Sequence, residues 1–123
     1  MRGGHQMCID TDSQLIYLFG GWDGNEDLAD FWMFNICNKT WQLLSSDTEQ
    51  DGGPCARSCH KMCLDHKRKL IFSLGRYLDS DVRNNTPLKV TVLFIQGGVT
   101  YWLKKSLVLS SYLYCNHCIH FSF

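Results

Sequence analysis

The stretch Leu15-Ile16-Tyr17-Leu18-Phe19-Gly20-Gly21 decides the fold of this 123-residue chain. Its five consecutive apolar residues have the length of one strand, and a run without polar alternation needs cover on both faces. The paired glycines end the run where the backbone must turn or approach a neighbour closely. We therefore predict a strand buried within a stack of sheets.

The same pattern returns 55 positions later, at Leu70–Gly75. Eight residues of the first half recur at this offset, namely Arg2, His5, Met7, Cys8, Asp10, Leu15, Ile16 and Gly20 as Arg57, His60, Met62, Cys63, Asp65, Leu70, Ile71 and Gly75. Internal repetition with a period of about 50 residues is typical of propellers and similar arrays.

Each repeat divides into four short strands in meander order, the composition of one propeller blade. The strands predicted for the first repeat are Gln6–Ile9, Leu15–Phe19, Asp30–Ile36 and Thr40–Leu44. Those predicted for the second are Lys61–Asp65, Leu70–Leu74, Val90–Ile95 and Val99–Leu103. We predict an all-β chain of about two four-stranded antiparallel blades, an incomplete propeller, with blades at 1–54 and 55–103 and a divergent apolar tail at 104–123.

Composition narrows the range of partners. Twelve basic and twelve acidic side chains cancel, so charge favours neither nucleic acid nor a membrane surface as partner. No apolar run is long enough to span a membrane. Seven cysteines without regular spacing favour a reducing compartment, so we expect the cytoplasm or the nucleus.

Few residues suggest a catalytic or metal-binding site. We find no Ser/His/Asp constellation and no complete metal-ligand set, and so predict no catalytic residue, metal, cofactor or small-molecule substrate. The repeated Cys8 and Cys63 are expected to be small buried hydrophobic residues. In the tail, Cys115-Asn116-His117-Cys118-Ile119-His120 offers half of a zinc site. A small metal-binding or redox protein using Cys115 and Cys118 stays open as an alternative, as does a truncated product without function.

Other residues suggest a binding surface. Loops of an antiparallel meander alternate between its two ends, so the loops after the second and fourth strands share one end. Exposed aromatic and charged side chains of both signs on such loops are typical of peptide-recognition surfaces. The partner-binding residues predicted there are Trp22, Asp23, Asn25, Glu26, Arg76, Tyr77, Asp79 and Arg83.

A third group of residues is expected to support the fold. Arg2 with His5, and Arg57 with His60, begin each repeat, and two copies of one active site are implausible. We predict that they hydrogen-bond into the neighbouring blade. The structural positions are Arg2, His5, Gly20, Gly21, Trp41, Arg57, His60 and Gly75.

These residues resemble the kelch repeat, because Leu15–Gly21, the aromatic residues of Phe31–Phe34 and Trp41 follow its order. Within that family the similarity is greatest to the muskelin-like proteins and covers about residues 1–89. The stretches that carry it are Arg2–Asp10, Tyr17–Gly24, Asp27–Trp32, Ala56–Cys63 and Leu74–Ser80.

The resemblance implies an intracellular protein-interaction module. Muskelin-like proteins act as scaffolding or substrate-recruiting members of a multisubunit, CTLH-type ubiquitin ligase, so the implied partners are ligase subunits or substrates. The chain would be a fragment of such a protein, with a sequence that departs from the pattern after Lys89. Two blades leave one apolar face uncovered, so we expect the chain to aggregate or to need a partner.

Overall fold

The computed structural model describes residues 1–75 and, as backbone only, the strands 90–96 and 99–105. Within these ranges the chain has no helix, and therefore none long and apolar enough to cross a membrane. Several predicted residues lie outside the described part, namely Arg76, Tyr77, Asp79, Arg83 and the cysteine and histidine cluster of the tail.

Eight strands form two four-stranded antiparallel sheets, each with its strands in chain order. The first sheet consists of β1 (Gln6–Asp10), β2 (Leu15–Phe19), β3 (Phe31–Asn35) and β4 (Thr40–Ser45). The second consists of β5 (Lys61–Asp65), β6 (Leu70–Leu74), β7 (Val90–Gln96) and β8 (Val99–Lys105). The predicted fold of two antiparallel four-stranded blades is confirmed.

One turn type closes the first hairpin of both sheets. Asp10 and Asp65 end the first strand of each sheet, and their Oδ1 atoms accept hydrogen bonds from backbone amides two and three residues ahead. The last turn residue, Gln14 or Lys69, has a left-handed φ of 56° or 55°. An aspartate that caps its own turn explains why Asp recurs at this position, since its side chain replaces missing backbone partners.

The core lies between the two sheets. Tyr17, Phe19 and Phe31 of the first sheet pack with Ile71 of the second, and all four are buried. Tyr17 and Phe31 stack with ring centroids 5.9 Å apart, while Phe19 meets Phe31 edge-on at 6.3 Å. Aromatic residues of the first sheet therefore cover the facing side of β6, which supplies the cover that its apolar run requires on that side.

Backbone hydrogen bonds fasten the two sheets where β2 ends. The amide of Gly21 donates to the carbonyl of Arg57 at 2.9 Å. Beside it, Gly20 has a φ of +63°, and a Cβ built there would lie 2.5 Å from the same carbonyl oxygen. Glycine is needed at position 20 for both its backbone conformation and this close approach.

Candidate protein-interaction site

Two loops lie together at one end of the first sheet, residues 20–30 after β2 and residues 46–60 after β4. The amide of Thr48 donates to the carbonyl of Ala29 at 2.9 Å, and that of Arg57 donates to the carbonyl of Leu28 at 3.1 Å. We call the surface formed by these two loops the loop face. Four of the predicted binding residues, Trp22, Asp23, Asn25 and Glu26, lie on it and are exposed.

Trp22 is exposed although its backbone is fixed. Its amide donates to the carbonyl of Gly3 at 2.8 Å, and its carbonyl accepts from the amide of Gly3 at 2.9 Å. A second β-bridge joins it to Asp27. The residue nevertheless keeps 46% of its surface exposed. A rigidly held, exposed tryptophan is the type of residue that anchors protein interfaces.

The described part of the loop face is acidic. Seven carboxylates lie on its two loops, belonging to Asp23, Glu26, Asp27, Asp30, Asp47, Glu49 and Asp51. Among the described residues, only Asp30 of this set forms an ion pair, with Arg2 at 2.6 Å. The mixture of both charge signs predicted for this face is therefore not found in its described portion, because Arg76 and Arg83 lie outside it.

We predicted that the repeated arginines bond into the neighbouring blade. Their guanidinium groups instead bond to backbone carbonyls of their own repeats. Arg2 Nη1 donates to the carbonyl of Gly20 at 3.0 Å, and Arg57 Nη1 donates to the carbonyl of Gly75 at 3.1 Å. Both bonds join residues 18 positions apart. The guanidinium reaches the end of its own second strand because that strand is the nearest neighbour of the first.

His60 makes the contact between sheets instead. It is 1% exposed and packs edge-on against Phe19 of the first sheet. Burial, followed by the nearby charge of Arg57, lowers the pKa of His60 to about 4. Its repeat partner His5 is half-buried and has no aromatic partner among the described residues. Among the described residues, the contact with an aromatic ring of the other sheet is therefore made by His60 and not by His5.

A second contact between sheets was missed by sequence reasoning. Lys69 Nζ lies 2.8 and 2.6 Å from the two carboxylate oxygens of Asp10, which is 2% exposed. Burial tends to raise the pKa of Asp10, but hydrogen bonds from Lys69 and Ser13 outweigh it and hold the pKa below its usual value. Lys69 replaces Gln14 of the first repeat, so the repeat itself gave no signal of this pair.

Asp10, Asp12 and His66 bring one ligand atom each within 4.8 Å of one another, as a metal site would require. The ammonium of Lys69, however, lies 2.6 Å from Asp10 and 3.7 Å from Asp12. A cation is thus already supplied by the protein, and we interpret the cluster as an ion-pair network.

The two repeated cysteines differ in exposure. Cys8 is partly buried, and burial raises the pKa of its thiol to about 12. Cys63 is exposed, so the prediction that both are buried is wrong for the second copy. The first sheet covers only one face of β5. Met62 and Leu64 pack against the core on that face, and Cys63 alternates with them and lies on the other face.

The outer face of the first sheet, opposite the second sheet, is a continuous apolar surface. The strand register aligns two rows of four side chains on it. They are Met7, Leu18, Trp32 and Leu43 in one row, and Ile9, Ile16, Phe34 and Trp41 in the other. Trp41, predicted as a structural position, contacts the ring of Phe34 at 4.9 Å yet is 52% exposed.

This outer face has a counterpart in the second repeat. Met62, Leu64 and Ile71 stand 55 positions after Met7, Ile9 and Ile16, and they belong to the core beneath the first sheet. Ile71 is buried whereas its counterpart Ile16 is only partly buried, and Leu64 is partly buried whereas its counterpart Ile9 is exposed. The outer face is therefore the surface that another sheet covers in the second repeat.

Comparison with known proteins agrees with this geometry. Residues 3–48 match the kelch motif. The chain is also similar to Mei4-dependent protein 6 of Schizosaccharomyces pombe, with 35% identity over 86 residues. That alignment covers 70% of this chain but 12% of the relative, so the chain spans a small part of the length of that protein.

The kelch match covers the whole first sheet and the first of the two loops that form the loop face. Kelch repeats generally mediate protein–protein interactions, which makes protein binding the function indicated for this region. A kelch-type blade supplies a rigid sheet from which variable loops project, the usual arrangement of a binding surface on a stable scaffold.

Proposed function

We propose that this chain binds another protein through its loop face. The observation that carries the proposal is Trp22, which is fixed by backbone bonds on both sides and remains 46% exposed. An anchor that is ordered before binding loses little conformational entropy on association, so its contact area contributes efficiently to affinity.

The resemblance to muskelin-like proteins supports a more specific role. In that role the chain is a scaffolding or substrate-recruiting part of a CTLH-type ubiquitin ligase, and its partners are ligase subunits or substrates in the cytoplasm or nucleus. The proposal needs no catalytic residue, because recruitment depends on contact area and complementarity alone.

The test is a binding assay between the purified full chain, immobilised, and purified CTLH-type ligase subunits presented one at a time. We expect one subunit or substrate to bind, and Trp22→Ala to weaken that binding at least tenfold, as for a central aromatic anchor. Trp41→Ala is the matched control, because Trp41 is similarly exposed but lies on the outer face of the first sheet rather than on the loop face. Equal loss in both variants would contradict a role for the loop face.

A further inference from the structure

We infer that the segment bound by the loop face is cationic, an extended peptide with an arginine side chain that stacks on Trp22. This inference rests on the proposed function and adds the chemistry of the partner. It combines two independent features of the face, its fixed exposed aromatic ring and its unbalanced charge.

The charge of the face is unbalanced because its few cations are already engaged. Arg2 is bound to Asp30 through two hydrogen bonds of 2.6 and 2.7 Å, and Arg57 donates to the carbonyls of Cys55 and Gly75. Six carboxylates of the two loops form no ion pair with any described residue. The described part of the loop face is therefore negatively charged.

These carboxylates are held by the loops rather than mobile. Asp23 Oδ1 accepts the amides of Asn25 and Glu26 at 2.8 and 2.9 Å, and these bonds lower its pKa. Asp47 Oδ1 accepts the amide of Glu49 at 3.0 Å in the same way. The Asp23 carboxylate is therefore held ionised at neutral pH, and its Oδ2 forms no hydrogen bond with a described residue. Asp47 Oδ2, in contrast, accepts the side-chain amide of Gln50 at 2.9 Å.

Trp22 adds a preference for arginine among cations. The indole ring is the strongest cation–π partner of the aromatic side chains, and a guanidinium can lie flat on it while it donates to a carboxylate. Asp23 follows Trp22 directly in the chain, so one arginine could meet both. Nucleic acids and acidic peptides would be repelled by the same carboxylates.

The experiment titrates the full chain into a fluorescent peptide of alternating glycine and arginine, read by anisotropy at low and at high salt. The matched peptide has citrulline in place of arginine, which keeps the shape and removes the charge. Three variants are compared with the unchanged chain: Trp22→Ala, Asp23→Asn with Glu26→Gln, and Asp12→Asn. Asp12 is an exposed carboxylate at the opposite end of the first sheet and is the control for charge alone. Far-UV circular dichroism confirms that each variant is folded.

We expect the arginine peptide to bind and the citrulline peptide to bind at least tenfold more weakly. Trp22→Ala should weaken binding about fivefold, the size of one exposed cation–π contact. The double carboxamide variant should weaken it and flatten its salt dependence, while Asp12→Asn should leave it unchanged.

Equal affinity for the two peptides, or an unchanged affinity in Trp22→Ala, would overturn the inference. No binding of the arginine peptide would also overturn it. If a ligase subunit still bound through Trp22 in the preceding assay, the proposed function would stand and only the cationic nature of the partner would be wrong. If neither bound, both would be rejected.

Discussion

The imidazole of His60 stands edge-on against the ring of Phe19, with ring centroids 5.1 Å apart and planes at 66°. Phe19 ends the second strand of the first sheet and His60 directly precedes the first strand of the second sheet, so this pair joins the two repeats. Both ring nitrogens of His60 are buried and have no hydrogen-bond partner among the residues that the structure describes. Such a site favours the neutral imidazole, because a buried charge without a partner is costly.

The free energy of unfolding should therefore decrease as the pH is lowered from 6.5 to 4. Unfolded, His60 has a pKa near 6.5, and folded it has a pKa of about 4. The unfolded state thus binds more protons as the pH falls from 6.5 to 4, and the folded state loses up to roughly 3 kcal/mol of stability. Below pH 4 this contribution is constant.

Denaturant unfolding at pH 7, 5.5 and 4 measures this effect. His60→Gln should be less stable than the unchanged chain at pH 7 but should depend less on pH between 6.5 and 4. His66→Gln is the control, since His66 is half-exposed and lies in a turn. An unchanged pH slope in His60→Gln would show that folding does not shift the pKa of His60.

Replacing Gly20 should be far more damaging than replacing other glycines of similar backbone conformation. Gly20→Ala would place a Cβ 2.5 Å from the carbonyl oxygen of Arg57, and we expect a loss of more than about 3 kcal/mol or failure to fold. Gly52 also has positive φ, but nothing lies within 4 Å of a Cβ built there. Gly52→Ala should cost only about 1 kcal/mol. Thermal melts of the two variants measure both losses of stability. The difference between them is the cost of the steric clash, because both variants place alanine at a positive φ.

The pair between Asp10 and Lys69 should stabilise the junction between the repeats. Lys69→Gln would leave the buried Asp10 carboxylate without its cation, so we expect a lower melting temperature and loss of the pH dependence contributed by Asp10 below its usual pKa. Lys67→Gln is the matched control, because Lys67 belongs to the same turn but forms no ion pair with a described residue. Similar melting temperatures for both variants would mean that the pair is dispensable.

The sequence predicted the eight strands closely because local features define them. Leu15–Phe19 and Leu70–Leu74 have the predicted bounds in the structure, since glycine follows each and a capped aspartate turn precedes each. The repeat also implied that residues 55 positions apart have the same structural role. This holds for the aspartate turns and for the arginine bonds to Gly20 and Gly75.

Contacts between residues far apart in the sequence could not be predicted from the repeat. The Asp10–Lys69 pair joins residues 59 positions apart, and its lysine has no counterpart in the first repeat. The different exposures of Cys8 and Cys63 likewise depend on which side of each sheet has a neighbour, which a repeat-based comparison treats as equivalent. The mixture of charge signs on the loop face stays a prediction, because Arg76 and Arg83 lie outside the described residues.

We claim above all that the two repeats are one unit and that the outer face of the first sheet is therefore a docking surface left uncovered. Size-exclusion chromatography with light scattering, over a range of chain concentrations, tests it most directly. We predict that the unchanged chain associates as concentration rises and that Ile9→Lys stays monomeric with an unchanged circular dichroism spectrum. Ile71→Lys, on the covered counterpart of this face, should unfold instead. A chain that stays monomeric at every concentration, or an Ile9→Lys variant that associates like the unchanged chain, would contradict the claim.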